Sequence, residues 1–196
     1  MCDSAYPPTQ PITDPSIKYW GAYLPSPHAY HPWALADMQR VSKEVKILPI
    51  WVAPLSPVSN PSQGWIDGAQ ALFIAHQYSS TVDMLPAICL DVEPNTIMES
   101  DSEYVSEFIS VIWAANLATV LYGVPSDLSY YAQLPELEPS SIWAAVPGFT
   151  GNLDSIPGLD DASWSTVGQR AVQCQANISQ YGTTVDMSVC QEGWPG

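Results

Sequence analysis

The amino-acid sequence predicts a mixed α/β fold, a shortened and irregular (β/α)8 barrel of the TIM type. Apolar segments of strand length alternate with segments that carry an apolar stripe at helical spacing, which is typical of a parallel sheet covered by helices. Seven strands can be placed, an eighth fits the first few residues, and eight strands close a barrel. The chain has 196 residues, well below the roughly 250 typical of this fold, so several helices must be short or absent. No repeat or boundary divides the chain, and we expect a single domain over residues 1–196.

The first half of the chain contains four of the predicted strands and two of the predicted helices. The strands are expected at residues 2–5, 17–23, 46–52 and from 85 to the carboxylates before Pro94. Pro32 opens the first helix, whose apolar stripe consists of Leu35, Met38, Val41 and Val45. Ser62 is placed to cap the second helix, whose predicted buried face consists of Trp65, Ile66, Ala69, Leu72, Phe73 and His76.

The second half begins with a capping-box pattern at Ser100 and Glu103, which predicts a third helix. Strands are expected at residues 119–122, 141–146, 171–175 and 183–189, with a helical turn near 126–131 and a long loop, containing at most a short helix, at 147–168. The last two strands are joined by a tight link near Tyr181-Gly182. No helix fits between the first two strands or between the last two, which accounts for the short chain.

Two carboxylates end the apolar strand that begins at Leu85. Side chains alternate along a strand, so Cys89, Asp91 and Glu93 share one face. Charge at the carboxyl end of a buried strand is costly, and it falls where barrels place their active sites. Two neighbouring carboxyls raise each other's proton affinity, which suits a general acid for glycosidic bonds. The alternative is a structural role, as a helix cap or as ion-pair partners of basic residues, of which the chain has only five.

Aromatic residues fall at several predicted strand ends, where a sugar ring could stack on them. The candidates for sugar binding are Tyr23, Trp51, Tyr122 and Trp143, although core packing is the commoner fate of any one of them. The tryptophans assigned to helices are expected in the core: Trp33, Trp65 and Trp113. His28 and His31 have the spacing of metal ligands, but they lie in a proline-flanked loop without a carboxylate nearby, so we expect a solvated loop. His76 lies on a helix stripe and is expected to be packed.

Composition excludes several classes of partner. The net charge is −15, from 20 acidic and 5 basic residues, so nucleic acid and anionic membranes should be repelled. A wall glycan would have to be held by shape, stacking and hydrogen bonds. No segment approaches the roughly 20 apolar residues of a membrane span, and the first residues lack the pattern of a signal peptide. We therefore expect a product made in the cytoplasm that reaches a target outside by cell lysis or as part of a virion.

The cysteines and the absence of common motifs argue against a metal or cofactor. Cys2, Cys89, Cys174 and Cys190 form no CxxC pair, which disfavours a zinc ribbon. Cys174 and Cys190 lie on late strands and their pairing stays open, with reduced thiols as the expectation in a cytosolic product. The sequence contains no HExxH, GxSxG, P-loop or GxGxxG motif.

Several short motifs occur in an order that resembles a known family. They are an early Asp3, the strand end Asp91-Val92-Glu93-Pro94, Tyr122-Gly123, Ile142-Trp143-Ala144, Val172-Gln173-Cys174-Gln175 and Val185-Asp186. This order resembles the family 25 glycoside hydrolases, the Chalaropsis-type lysozymes. It is more similar still to the glycoside-hydrolase-like domains of actinobacteria and their phages, through Lys18 to Tyr23 and Pro49 to Val52.

The resemblance implies a barrel that binds or cleaves peptidoglycan between N-acetylmuramic acid and N-acetylglucosamine, without a metal or cofactor. It makes Glu93 the general acid and Asp91 the carboxylate that supports charge developing at the sugar. It adds Asp186 and Asp3 to the same cleft. The alternative is a barrel that has lost turnover and serves as a glycan-binding or phage structural module, with virion proteins as partners.

Overall fold

The computed structural model describes residues 1–55, 58, 60, 62–92, 99–132, 139–159 and 169–195. Eight strands form a closed barrel in chain order. They are β1 (Cys2–Asp3), β2 (Tyr19–Tyr23), β3 (Lys46–Val52), β4 (Ala87–Asp91), β5 (Ala118–Gly123), β6 (Ser141–Ala145), β7 (Gln169–Gln180) and β8 (Thr183–Cys190). The helices of the described residues are α1 (Leu35–Val41), α2 (Gln63–Ser79), α3 (Glu99–Ala114) and α4 (Pro125–Ala132). The predicted α/β barrel is confirmed.

The barrel is irregular because its last strand runs against the others. Strands β1 to β7 are parallel to their neighbours, whereas β8 is antiparallel to both β7 and β1. The predicted tight link joins β7 to β8 through Tyr181 and Gly182, with φ of 51° and 73°. Two successive positive φ angles are typical of the two-residue hairpin turn that joins antiparallel strands. The carboxyl-terminal ends of seven strands therefore meet at one rim of the barrel, where β8 runs in the opposite direction.

Strand β7 is longer than predicted, since it begins at Gln169 and continues to Gln180 rather than ending at Gln175. Its register with β8 shifts between Gln173 and Gln175 and again before Ile178. Bulges of this kind bend a strand and interrupt the alternation of inward and outward side chains. The second half of β7, after Gln175, therefore lacks the side-chain pattern that identifies a strand. The described part of the loop after β6, up to residue 159, contains neither helix nor strand, as expected.

Alternation along the strands divides the core into two layers. On β4, Ala87 and Cys89 pack inside the barrel, while Ile88 and Leu90 pack outside it against the surrounding layer. The interior layer also contains Leu48, Ile50, Val120, Trp143, Ala171 and Trp194. The predicted division of faces on β4 is confirmed, and Asp91 therefore continues the inner face at the end of the strand.

Helix α2 is rotated relative to the prediction. Trp65 and Phe73 are 60% and 62% exposed, and His76 is exposed as well, so the predicted buried face was wrong. The buried face instead consists of Gly64, Asp67, Gly68, Ala71 and Ala75. A Cβ added at Gly64 would lie 2.1 Å from the backbone oxygen of Tyr104 on α3. Small residues thus let two helices approach closely, and this close approach decided the orientation of α2.

A buried carboxylate connects α2 to the barrel wall and to α3. Asp67 is fully buried and accepts hydrogen bonds from Tyr104 Oη at 2.9 Å, from Gln63 Nε2 at 2.7 Å and from Trp51 Nε1 at 3.4 Å. Burial of a carboxylate is costly unless donors satisfy it, and three do. Asp67 is therefore a structural residue of the helix layer, which the hydrophobic pattern alone did not indicate.

Three smaller expectations have mixed outcomes. Trp33 is buried as expected, but it precedes α1, which begins at Leu35 and not at Pro32. Trp113 is 42% exposed, contrary to the prediction of a core residue, and its indole Nε1 donates to Thr119 Oγ1 at 3.1 Å. Ser62 makes no side-chain capping hydrogen bond to α2. None of the described helices has the length and apolar character needed to cross a membrane.

Candidate active site

Three of the acidic residues that the sequence singled out, Asp3, Asp91 and Asp186, lie at the carboxyl-terminal rim of the barrel. Asp91 is the last residue of β4 and is 6% exposed. Asp3 is the last residue of β1 and is 5% exposed. Both belong to inner faces, because their neighbours Val92 and Cys2 pack in the outer layer. Glu93, the predicted general acid, lies outside the described residues.

Asp3 reaches the interior because its neighbour on β2 has no side chain. It lies opposite Gly21 in the parallel pair β1–β2 and opposite Asp186 in the antiparallel pair β1–β8. A Cβ at Gly21 would lie 2.9 Å from Asp3 Cβ and 2.7 Å from Ile50 Cδ1, so only glycine leaves room there. The short first strand is thus sufficient to bring Asp3 beside Asp186.

A chain of hydrogen bonds holds Asp186 in place. Gln173 Nε2 donates to Asp186 Oδ2 at 2.6 Å, and the backbone N–H of Asn177 donates to Oδ1 at 2.7 Å. Tyr122 Oη donates to Gln173 Oε1 at 2.5 Å. Gln173 therefore orients both a carboxylate and a phenol of the rim. It was not among the predicted site residues, although the motif that contains it was part of the family resemblance.

The charges of Asp3 and Asp91 affect the same two side chains, Tyr23 and Cys89. Burial raises the pKa of the Tyr23 phenol well above its usual range, and the nearby charges of Asp91 and Asp3 raise it further. The pKa of the Cys89 thiol is raised by burial first and then by the same two carboxylates. Tyr23 is consequently a neutral phenol at physiological pH, able to donate a hydrogen bond beside two acids.

The four aromatic candidates for sugar binding have different positions. Tyr23 and Tyr122 lie on the inner face near the rim. Trp143 is 1% exposed, its Nε1 donates to Ser188 Oγ at 3.0 Å, and its ring centroid lies 4.5 Å from that of Tyr122. It belongs to the interior layer and is too deeply buried to stack on a ligand.

Trp51 is on the other side of the barrel wall. It is fully buried in the outer layer and directed toward Asp67 of α2, contrary to the expectation of a sugar-binding residue. Alternation is the reason, since Ile50 occupies the inner face and Trp51 must then face outward. The inner-face residue at this end of β3 is Val52.

An open cavity of about 630 Å³ lies at the same rim and contains Asp91 and Tyr23 in its wall. Its other side is formed by the loop between β2 and α1, with Pro27, His28, Ala29, Tyr30 and His31. The two histidines therefore line a cavity next to a candidate carboxylate, whereas the sequence predicted only a solvated loop. Their proline-flanked position gave no indication of this, because it depends on how the loop folds back over β2.

Local hydrogen bonds hold this loop in its conformation. Ser26 Oγ accepts from the backbone N–H groups of His28 at 3.3 Å and Ala29 at 3.0 Å. The ring of His31 lies 4.5 Å from that of Tyr6, and its Nε2 is 3.1 Å from Tyr6 Oη. Among the described residues, no group of three or more His, Cys, Asp or Glu side chains is arranged to hold a metal ion. All four cysteines are free thiols.

A second cavity of similar volume lies elsewhere, between α2 and the amino-terminal ends of β4 and β5. Its wall includes Leu72, Phe73, His76, Leu85 and Leu117. No aspartate or glutamate belongs to its described lining. The cavity with a carboxylate in its described lining is therefore the one at the carboxyl-terminal rim.

Comparison with known proteins supports the fold assignment. No protein-family model matches the chain, and no curated protein matches its sequence. An uncharacterised protein of B. stearothermophilus has a similar structure, with a TM-score of 0.69 at 18% identity, covering 97% of this chain and 95% of that one. The catalytic domain of an endolysin from a Listeria monocytogenes bacteriophage gives 0.62 at 13% identity, covering 89% and 81%.

A third solved structure is a glycosyl hydrolase of family 25 from Streptococcus pneumoniae, described as a virulence factor that participates in host cell invasion. It gives a TM-score of 0.60 at 14% identity, covering 90% of this chain and 77% of that one. At these identities the likeness shows the fold alone. The chain thus has a barrel of the type found in family 25 glycosyl hydrolases and phage endolysins.

Proposed function

We propose that this protein is a muramidase-type glycosidase that cleaves bacterial cell-wall glycan with a pair of carboxylates. The observation that carries the proposal is that Asp3, Asp91 and Asp186 all occupy inner-face positions at the carboxyl-terminal rim, with Asp3 directly opposite Asp186. An open cavity beside Asp91 and the structural likeness to a phage endolysin domain and a family 25 glycosyl hydrolase add support. The cleaved bond would join N-acetylmuramic acid to N-acetylglucosamine.

In the proposed reaction, Glu93 gives its proton to the glycosidic oxygen as the carbon–oxygen bond breaks. The bonding electron pair leaves with that oxygen, and positive charge develops on the sugar ring. Asp91, two residues earlier in the sequence, stabilises this charge, directly or through the acetamido group of the substrate. Water then supplies a hydroxyl to the sugar carbon, and its proton returns to Glu93.

Asp186 and Asp3 have supporting parts in this proposal. Both oxygens of Asp186 accept hydrogen bonds, which suits a residue that binds or stabilises and does not donate a proton. Asp3 adds negative charge next to it. Tyr23 and Tyr122 offer a phenol and a ring face to the glycan. Such contacts are needed because a protein with a net charge of −15 does not attract an anionic wall polymer by charge. We further propose that the protein acts at the wall after lysis or as part of a virion.

Release of dye from labelled peptidoglycan tests this function. Wild type should release dye, and Glu93→Gln should release none while its circular dichroism spectrum and unfolding midpoint stay unchanged. Glu192→Gln, an exposed glutamate in the last turn, is the matched control and should retain full activity. If wild type releases nothing from wall preparations of several compositions, the enzyme proposal fails. Binding of the same walls without release would instead favour a glycan-binding or phage structural module.

A further inference from the structure

The cavity beside Asp91 has a wall whose composition suits an organic cation as well as a sugar ring. Its described lining combines one buried carboxylate with the rings of Tyr23, Tyr30, His28 and His31. Tyr30 is 89% exposed and also lines the cavity, so its ring is accessible to a ligand there. Aromatic faces next to a carboxylate are the usual surroundings of an organic cation in a protein.

The lysines and arginines of the chain lie toward the opposite end of the barrel. Lys18 precedes β2, Lys46 begins β3 and Arg170 is the second residue of β7, which places all three at the amino-terminal rim. Arg40 and Lys43 lie at the end of α1, which leads to the start of β3 at that same rim. These five are all the lysines and arginines of the chain, so the segments outside the described residues contain none.

The cavity beside Asp91 therefore has no lysine or arginine in its described lining. Asp91 belongs to the cavity wall, and Asp3 acts on the same Tyr23 and Cys89 side chains as Asp91 does. A low-dielectric cleft with charge of one sign focuses the field at its mouth. A ligand group with a positive charge gains from this field, whereas a neutral acetamido group does not.

We propose that this cavity, between Asp91 and the ring of Tyr30, is a subsite for a primary ammonium group carried by the glycan strand. Two parts of a cell wall supply that group: a glucosamine unit that has lost its acetyl group, and the free side-chain amine of a stem peptide. The inference deepens the proposed function and rests on it for the identity of the polymer. It assigns the ammonium to a position beside the reacting sugar and leaves the cleaved bond unchanged.

Calorimetric titration with matched ligands tests the subsite separately from hydrolysis. The first pair is a glucosamine tetrasaccharide and its fully N-acetylated form; the second is a stem peptide with a free amine and the same peptide acetylated. At near-neutral pH and low salt, at least one amine form should bind about tenfold more tightly than its acetylated partner, and added salt should reduce the difference. The pair that shows the preference identifies the source of the ammonium.

Two surface variants complete the test. Tyr30→Ala should weaken binding of the preferred amine form by roughly 3- to 30-fold, the range for loss of a cation on one aromatic face. Phe73→Ala is the matched control, because Phe73 is also an exposed aromatic ring but lines the other cavity, and it should change nothing. Equal binding of amine and acetylated forms in both pairs, or equal binding by Tyr30→Ala and wild type, overturns the proposal. If the protein prefers the amine ligands but releases no dye from walls, the subsite proposal stands and the hydrolase proposal fails. If it releases dye but shows no preference for the amine ligands, the hydrolase proposal stands and the subsite proposal fails.

Discussion

Replacement of Gln173 tests whether hydrogen bonds position the acidic side chains at the carboxyl-terminal rim. Gln173 is 5% exposed, accepts from Tyr122 and donates to Asp186, each through a short hydrogen bond. Gln173→Leu keeps the size of the side chain but leaves the Tyr122 hydroxyl without this acceptor and Asp186 Oδ2 without this donor. We expect the variant to fold and to lose both stability and activity.

The magnitude follows from the burial of the two groups. An unsatisfied buried polar group costs about 1–3 kcal/mol. The hydrogen bond from Tyr122, which is 8% exposed, is lost in a buried setting, whereas half-buried Asp186 keeps its bond from the Asn177 N–H and recovers part of its solvation from water. The free energy of unfolding should therefore fall by about 2–3 kcal/mol.

Urea denaturation followed by tryptophan fluorescence measures this loss, and dye release from peptidoglycan measures activity below the unfolding transition. Gln175→Leu is the control, since Gln175 is on the same strand but exposed, and it should change stability by less than about 0.5 kcal/mol. Equal stability of the two variants would refute the hydrogen-bond chain. If Gln173→Leu shows the predicted loss of stability but keeps its activity, Gln173 has no part in positioning Asp186 for the reaction.

Three further predictions concern the layers around the site. Asp67→Ala removes the acceptor of Tyr104 and Gln63 and should lower the free energy of unfolding by about 3 kcal/mol in urea, with a smaller loss for Asp67→Asn; no loss would show that α2 is not held by this carboxylate. Gly64→Ala should lower the thermal midpoint much more than an alanine at exposed Gln77, because a Cβ at position 64 would lie 2.1 Å from the Tyr104 carbonyl; equal midpoints would contradict the close helix contact. Folding raises the pKa of Tyr23, so the unfolded chain loses this proton first and stability should fall as pH rises above about 10; Tyr23→Phe should flatten that fall, and an unchanged slope would contradict the burial of the phenol.

The strands were predictable because their apolar segments have clear ends. Strand β3 has the predicted bounds of Lys46 and Val52, with Pro54 just beyond it. The inner position of Asp91 followed from alternation along β4, since a one-residue shift would have turned the apolar face of the strand toward the wrong layer. The same rule, applied to β3, would have placed Trp51 outside the barrel.

The helices and loops were less predictable for physical reasons. On α2 the large apolar side chains form a helical stripe, which predicts that this stripe is buried. Gly64 and Gly68 instead allow the backbone of α2 to approach α3 closely, so the glycine face is buried. The burial of Asp67 depends on donors from Trp51 and Tyr104, which are distant in sequence. The histidine loop lines the cavity because of hydrogen bonds to Ser26 and Tyr6, and no local pattern predicts such contacts.

A crystal structure of the Glu93→Gln variant with a cell-wall glycan oligosaccharide tests the central claim most directly. We expect the sugar chain to lie across the carboxyl-terminal rim, with the side-chain amide of residue 93 within hydrogen-bond distance of a glycosidic oxygen and the Asp91 carboxylate on the same side of the cleft. Residue 93 turned away from Asp186, or a glycan bound outside the rim, would contradict the account.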